Sequence, residues 1–184
     1  MERRLSKQDW IRGARIALLE GGIGAVGVEK LAKRLRVTKG SFYWHFADRA
    51  ELLEALLAEW ESETDLLTEA IAVGSAGLRQ LADELAQNVI LSEQGETPSD
   101  AAIFGWAAVS PEIAKRVKAA EEKRIALFAS LLGSRERAEF LYMTYLGFIL
   151  RRRRADDAAE LFRLITDFMI AGSDSSFLVL EKSS

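Results

Sequence analysis

The chain has no cysteine, a single histidine and two prolines in 184 residues. Without cysteine there is no disulfide, no thiolate metal site and no cysteine nucleophile. With His45 as the only imidazole, and no Gly-rich phosphate loop or nucleophile elbow, little is left for metal binding or covalent catalysis. The acidic pairs Glu121-Glu122 and Asp156-Asp157 fall in helical or capping contexts, where adjacent side chains point apart and make no carboxylate dyad. No enzyme activity, metal or cofactor is therefore expected. Long apolar runs are also missing: none approaches the ~20 residues of a membrane span. The opening "MERRLSKQDW" passes from basic to polar residues without an apolar signal region, which predicts a soluble cytoplasmic protein with no membrane partner.

What is present suits a helical core. Hydrophobic residues make up 49% of the chain, and a chain of this size buries roughly 70% of its unfolded surface. The net charge of −3 conceals an asymmetry: residues 1–49 hold 11 Lys/Arg against 5 Asp/Glu, while residues 50–184 hold 14 against 23. A basic head on an acidic body predicts that the head alone meets a polyanion. Helical spacing and caps recur and no stretch alternates as a strand, so the fold class is all-α. In "LSKQDW", Ser6 and Asp9 form a capping box and Leu5 staples onto Trp10, opening a helix from Lys7 to Glu20 that Gly21-Gly22 ends. Its inward stripe is Trp10, Ile11, Ala14 and Leu18. A short helix over Val28–Leu35 follows, then "RVT", then a helix from Lys39 to Phe46 capped by Thr38. Two short helices and a three-residue turn make a helix-turn-helix.

Phe42 and Phe46, four apart, point inward together, which leaves Lys39, Gly40, Tyr43 and Trp44 on outward or flanking sides. Gly40 in a first turn costs about 1 kcal/mol of helix propensity, and close approach to a partner is one compensating reason. Lys39 and Ser41 can contact phosphates or base edges, Tyr43 and His45 can donate to phosphates, and Trp44 can lie against sugar or a base methyl. The alternatives are partial packing of Tyr43 and Trp44 against the first helix, and a helix-end bond from His45 to backbone.

The stretch from "WIRGARIALLEGG" through "VEKLAKRLRVTKGSFYWHFADRAELLEALL" resembles the DNA-binding domain of TetR-family transcriptional regulators. The matching positions are Thr38, Gly40, Ser41, Tyr43, His45, Phe46, Arg49, Glu51 and Leu52. The resemblance implies that Lys39, Gly40, Ser41, Tyr43, Trp44 and His45 lie on a recognition helix and that Arg49 holds a phosphate of a double-stranded operator. Two positions depart from the pattern: Arg36 stands where the turn usually has Gly, at roughly 1–2 kcal/mol if held left-handed, and Gly27 replaces a capping Thr and its phosphate contact.

Beyond this head, residues 1–48, a body over 49–184 is expected to bind a ligand and to dimerise. A long helix from Arg49 to Ile71, capped by Asp48 with Glu51 in the box position, carries Leu52, Leu53, Leu56, Leu57, Trp60, Leu67 and Ile71. "AVGSAG" (72–77) ends it. Further helices are expected over 77–91, 100–109, 111–132, 134–151 and 156–171, with Pro111 opening one of them. "SEQGETPSD" (92–100) reads as a flexible loop, and 172–184 as a tail. "RRRR" (151–154) reads as a helix C-terminus with "ADDAAE" following it, rather than a nucleic-acid patch.

"FLYMTYLGFIL" (140–150) and "LFRLITDFMI" (161–170) are apolar nearly all round, as expected of a subunit interface or of a central helix in one large domain. Phe140, Met143, Gly147, Phe148, Leu161, Ile165 and Phe168 are the interface candidates. TetR-like proteins dimerise through their last two long helices, so the resemblance favours a homodimer. Trp60, Phe104, Trp106, Phe128, Tyr142 and Tyr145 are candidates for a cavity between helices that takes an unidentified small apolar effector, the alternative for each being ordinary core packing. The reading is a ligand-responsive DNA-binding repressor; the rival is a helical small-molecule-binding or scaffold protein without an operator.

Overall fold

The computed structural model describes residues 5–70, 75–152 and 158–174. Its elements are α1 (Lys7–Gly21), a 3-10 turn (Ile23–Ala25), α2 (Val28–Leu35), α3 (Lys39–Tyr43), α4 (Arg49–Ala70), α5 (Ser75–Glu93), α6 (Asp100–Ala107), α7 (Pro111–Leu132), α8 (Arg135–Arg152) and α9 (Ala158–Asp174). The described residues contain no strand. Residues 72–74 of the helix stop expected at 72–77, the last two arginines of "RRRR", Asp156-Asp157, Ile71 and the tail beyond Asp174 lie outside the described residues, and so does the side chain of Leu67; residues 75–77 already belong to α5.

Local chemistry sets the first boundaries. The Ser6 hydroxyl accepts from the Asp9 amide at 3.2 Å while the Ser6 amide donates to Asp9 Oδ2 at 2.8 Å, so two free donors of α1 are satisfied reciprocally. Gly22 ends the helix with φ +64°, a conformation that favours glycine. Gly27 occupies the N-cap of α2 with extended backbone and no side-chain bond. The Asp48 carboxylate accepts from the Glu51 amide at 2.9 Å, and Glu51 Oε2 accepts from the Ala47 amide at 2.6 Å. The α4 box thus closes one residue before the cap.

The helix expected over Lys39–Phe46 is shorter. α3 ends at Tyr43 and continues as a turn, in which the His45 and Phe46 amides both donate to the Phe42 carbonyl at 2.9 and 3.1 Å. Thr38 holds the extended cap conformation without a side-chain bond. The inward pairing nevertheless stands: Phe42 and Phe46 are buried, stacked at 5.3 Å, and Trp10 meets Phe42 edge-on at 5.3 Å. Full burial of side chains this large contributes roughly 1.5–3 kcal/mol each.

The chain divides into two compact units, Met1–Leu66 with Gln87–Ala120, and Leu67–Ala86 with Glu121–Ser184. One core runs through the first unit, from Trp10 and Leu31 past Leu52, Leu57 and Trp60 to Ile103 and Ile113. The segment read as a flexible loop is packed onto α1 in this unit. Arg15 Nη1 donates to the Gly95 and Glu96 carbonyls at 3.2 and 2.6 Å, Arg15 also pairs with Glu59, and a Cβ at Gly95 (φ +73°) would lie 2.5 Å from Ile16 Cγ1. A polar, glycine-containing segment signals a turn, but it does not reveal that a distant arginine binds its carbonyls. In the second unit α8 packs along α9, and Phe128, Tyr142, Tyr145, Phe148 and Phe162 form a connected aromatic cluster.

Candidate nucleic-acid interface

α2, its turn and α3 present one surface on which Tyr43 and Trp44 stay outside the core. Tyr43 is 60% exposed and Trp44 83% exposed, so neither packs away against α1. An indole left in water forgoes the burial that makes tryptophan favourable in a core. Gly40 lies between them and the turn. A Cβ there would meet only Thr38 Oγ1, at 3.8 Å, so nothing inside the subunit requires glycine. Ser41 is half-buried on the same short helix, and its amide closes the first turn on the Thr38 carbonyl at 3.1 Å.

The polar candidates are partly engaged. Lys39 pairs with Glu29 of α2, and that ammonium holds the Glu29 carboxyl below the usual carboxylate range through a hydrogen bond first and charge second. Glu29 was not legible as its partner, because the pairing depends on the turn geometry between α2 and α3. His45 Nε2 lies 2.9 Å from the Leu5 carbonyl, the backbone bond named above as the alternative to a phosphate contact. The Arg49 guanidinium donates to the Val26 carbonyl and, through Nη2, to the Ile23 carbonyl at 2.8 Å. It thereby ties the start of α4 to the segment joining α1 and α2.

A second surface lies on α8 and α9. Phe140, Met143 and Leu150 on α8, and Leu161, Leu164 and Phe168 on α9, are all exposed. Their spacing of three, four and seven places each set on one helix face. Gly147 shares the α8 face, and a Cβ there would meet nothing within 4 Å. Ile165 is half-buried. Phe148 does not belong to this face: it is 4% exposed and stacks on Phe162 at 4.8 Å inside its own unit. Leu150 and Leu164 were passed over, although the same spacing that selected Phe140 and Leu161 reaches them.

The six cavity candidates fall three in each compact unit. Trp60 is fully buried in the first core, with Nε1 donating to Asp100; Phe104 meets it edge-on at 6.3 Å, and Trp106 is buried in the same core. Trp60 is therefore a core residue. Phe128, Tyr142 and Tyr145 belong to the aromatic cluster of the second unit, where the Tyr142 hydroxyl donates to Glu121 at 3.0 Å. Among the described residues, no group of three or more acidic, histidine or cysteine side chains is placed to hold a metal ion, and no helix is long and apolar enough to cross a membrane.

Residues 11–56 match the family model described as bacterial regulatory proteins, tetR family. The transcriptional regulator AcuR of Cereibacter sphaeroides is 38% identical over 72 residues, 39% of this chain and 33% of AcuR. The matched stretches span a third or less of the curated relatives' own length. Similarity of fold extends much further. A TetR-family regulator of Streptomyces coelicolor, SCO4454, superposes with a TM-score of 0.70 at 16% identity over 92% of this chain and 91% of that one. A SmeT–triclosan complex superposes with a TM-score of 0.62 at 17% identity over 97% of this chain and 98% of that one. Residues 11–56 thus match the helix-turn-helix segment of the tetR family, and the fold of the chain is similar to that of TetR-family structures.

Proposed function

We propose that the chain is a dimeric DNA-binding transcriptional regulator, a repressor that a small apolar molecule releases from its operator. Residues 1–48 supply the DNA-binding head, and residues 49–184 the ligand-binding and dimerisation body. The observation that carries the reading is the pair of exposed aromatics, Tyr43 and Trp44, beside a glycine that the subunit's own packing does not require. On a recognition helix these groups reach sugar, phosphate and base edges, with Lys39 and Ser41 supplying polar contacts. His45 and Arg49 serve chiefly to hold α3 and the start of α4 in place, since their donors already meet backbone carbonyls.

The exposed apolar face of α8 and α9 supports a homodimer, because a contiguous patch of this kind is unusual on a monomer. Two subunits then place two recognition helices on two half-sites. For the effector we place the site against Phe128, Tyr142 and Tyr145, where ring faces lie beside phenol groups. A protein of the same fold is known as a complex with triclosan. The effector must prefer a conformation unsuited to the operator, since equal affinity for both conformations shifts nothing. Anisotropy titration of labelled duplex from upstream of the chain's own gene, against a scrambled duplex, tests the reading. Tighter binding to the former, weakened by an apolar ligand found in a thermal-shift screen, is expected. Equal affinity for both duplexes would remove the operator, and ligands that bind without changing DNA affinity would remove the regulation.

A further inference from the structure

Arg36 is the one non-glycine residue with a positive φ among the described residues, at φ 58° and ψ 44°. The turn after α2 forces that conformation. The Val37 amide donates to the Ala32 carbonyl at 3.0 Å and the Arg36 amide to the Lys33 carbonyl at 3.3 Å, a helix-ending pattern that holds the residue between them left-handed whatever its side chain. An L residue with a Cβ is strained there. Among the described residues no side-chain contact of Arg36 offsets the strain. Arg36 is exposed, and among the described residues its guanidinium makes no hydrogen bond or ion pair, whereas nearby Arg34 pairs with Glu20 and Lys39 with Glu29. Arg36 instead lines a groove of about 1250 Å³ together with Asp9, Arg12 and Ile16 of α1 and with Gly40, Ser41 and Trp44. The last three are among the residues assigned above to the DNA surface.

We propose that Arg36 is a DNA-contacting residue in its own right, its guanidinium donating to a backbone phosphate of the strand that runs along this groove. A strained position with an unsatisfied, permanently charged side chain fits an external partner better than a structural role. The planar guanidinium fork matches phosphate oxygens. A phosphate contact adds affinity on any sequence, so this residue strengthens binding without reading bases. The inference rests on the DNA-binding reading above.

The test uses the full-length chain with a mixed-sequence duplex, titrated over a salt series, with thermal melts run in parallel. Arg36→Gly relieves the strain and removes the donor. Its melting midpoint is expected to rise by about 2–4 °C, while its DNA affinity falls about three- to tenfold and the log–log salt slope shrinks by about one counterion. Arg36→Lys keeps the charge and the strain, and is expected to melt with wild type and to bind within about threefold of it. A purely structural role moves the melt alone. Arg36→Gly binding with wild-type affinity and slope would overturn the inference and leave the DNA-binding reading intact. Wild-type chain that binds no duplex at low salt would overturn the functional reading itself.

Discussion

Tyr43, Trp44, Lys39 and Glu29 carry most of the functional argument at the scale of single residues. Because Tyr43 and Trp44 are exposed, removing either should leave stability within about 0.5 kcal/mol of wild type. Trp44→Ala is expected to weaken DNA binding about tenfold with an unchanged melt, measured by titration and calorimetry on the same preparation. The Lys39–Glu29 pair makes a contrary prediction. Glu29 is ionised at neutral pH like any ordinary carboxyl, Lys39 holds it lower still, and DNA must compete with it for the ammonium. Glu29→Gln should therefore raise affinity about three- to tenfold across sequences, and an unchanged or lower affinity would show that the pair survives on DNA. The exposure of Tyr43 and Trp44 was legible because helical spacing turns Phe42 and Phe46 inward and leaves these two outside. Phe148 was not distinguishable from Phe140 by composition, since both sit in a segment apolar on every side; only the packing of Phe162 decides which is covered.

At the scale of elements, caps and interhelix pairs set both the boundaries and the response to pH. Asp48→Ala removes the acceptor for the Glu51 amide at the start of α4, and should cost about 1 kcal/mol, or a midpoint lower by roughly 2–4 °C. Further along, Arg116 of α7 binds Glu54 and Glu61 of α4 at 2.7 and 2.6 Å. Hydrogen bonding to Arg116 depresses the Glu54 carboxyl below its ordinary 4.5, so the folded state binds that proton less readily than the unfolded chain. The stabilisation is then fully present above about pH 4.5 and fades as pH falls through the depressed value. Glu54 is well exposed, and screening keeps the effect below about 1 kcal/mol. Arg116→Gln should lower the melt at pH 7 and cost progressively less as pH falls below about 4.5; a loss that stays the same across that range would assign its role to packing. Capped and glycine-ended helices were readable from Ser6, Gly22 and Asp48, whose chemistry is local. α3 was expected to run to Phe46 because its apolar spacing continues past Tyr43, where the backbone has already become a turn. The packed segment around Gly95 escaped notice because its partner, Arg15, lies 80 residues away.

For the whole molecule, the all-α fold was readable from helical spacing and caps, whereas the six aromatic cavity candidates fall three in each compact unit, a division that composition could not show. Phe140, Met143, Leu150, Leu161, Leu164 and Phe168 are exposed in the subunit, so a charge placed among them tests association without burying a charge in the fold itself. Leu164→Glu is expected to sediment as a folded monomer with wild-type helicity, while the wild-type chain sediments as a dimer at micromolar concentration. A folded wild-type monomer would remove the dimer and with it the two-half-site arrangement. The central claim, that the outward face of α3 binds duplex DNA, is tested most directly by one titration series: wild type and Tyr43→Ala, each bound to labelled upstream duplex at low and at physiological salt, with melts as a control. The account predicts steeply salt-dependent binding by wild type and an affinity at least about fivefold weaker for Tyr43→Ala at both salts, with the melting midpoint unchanged. Equal affinity of the two proteins, or wild-type affinity that stays flat across salt, would contradict it.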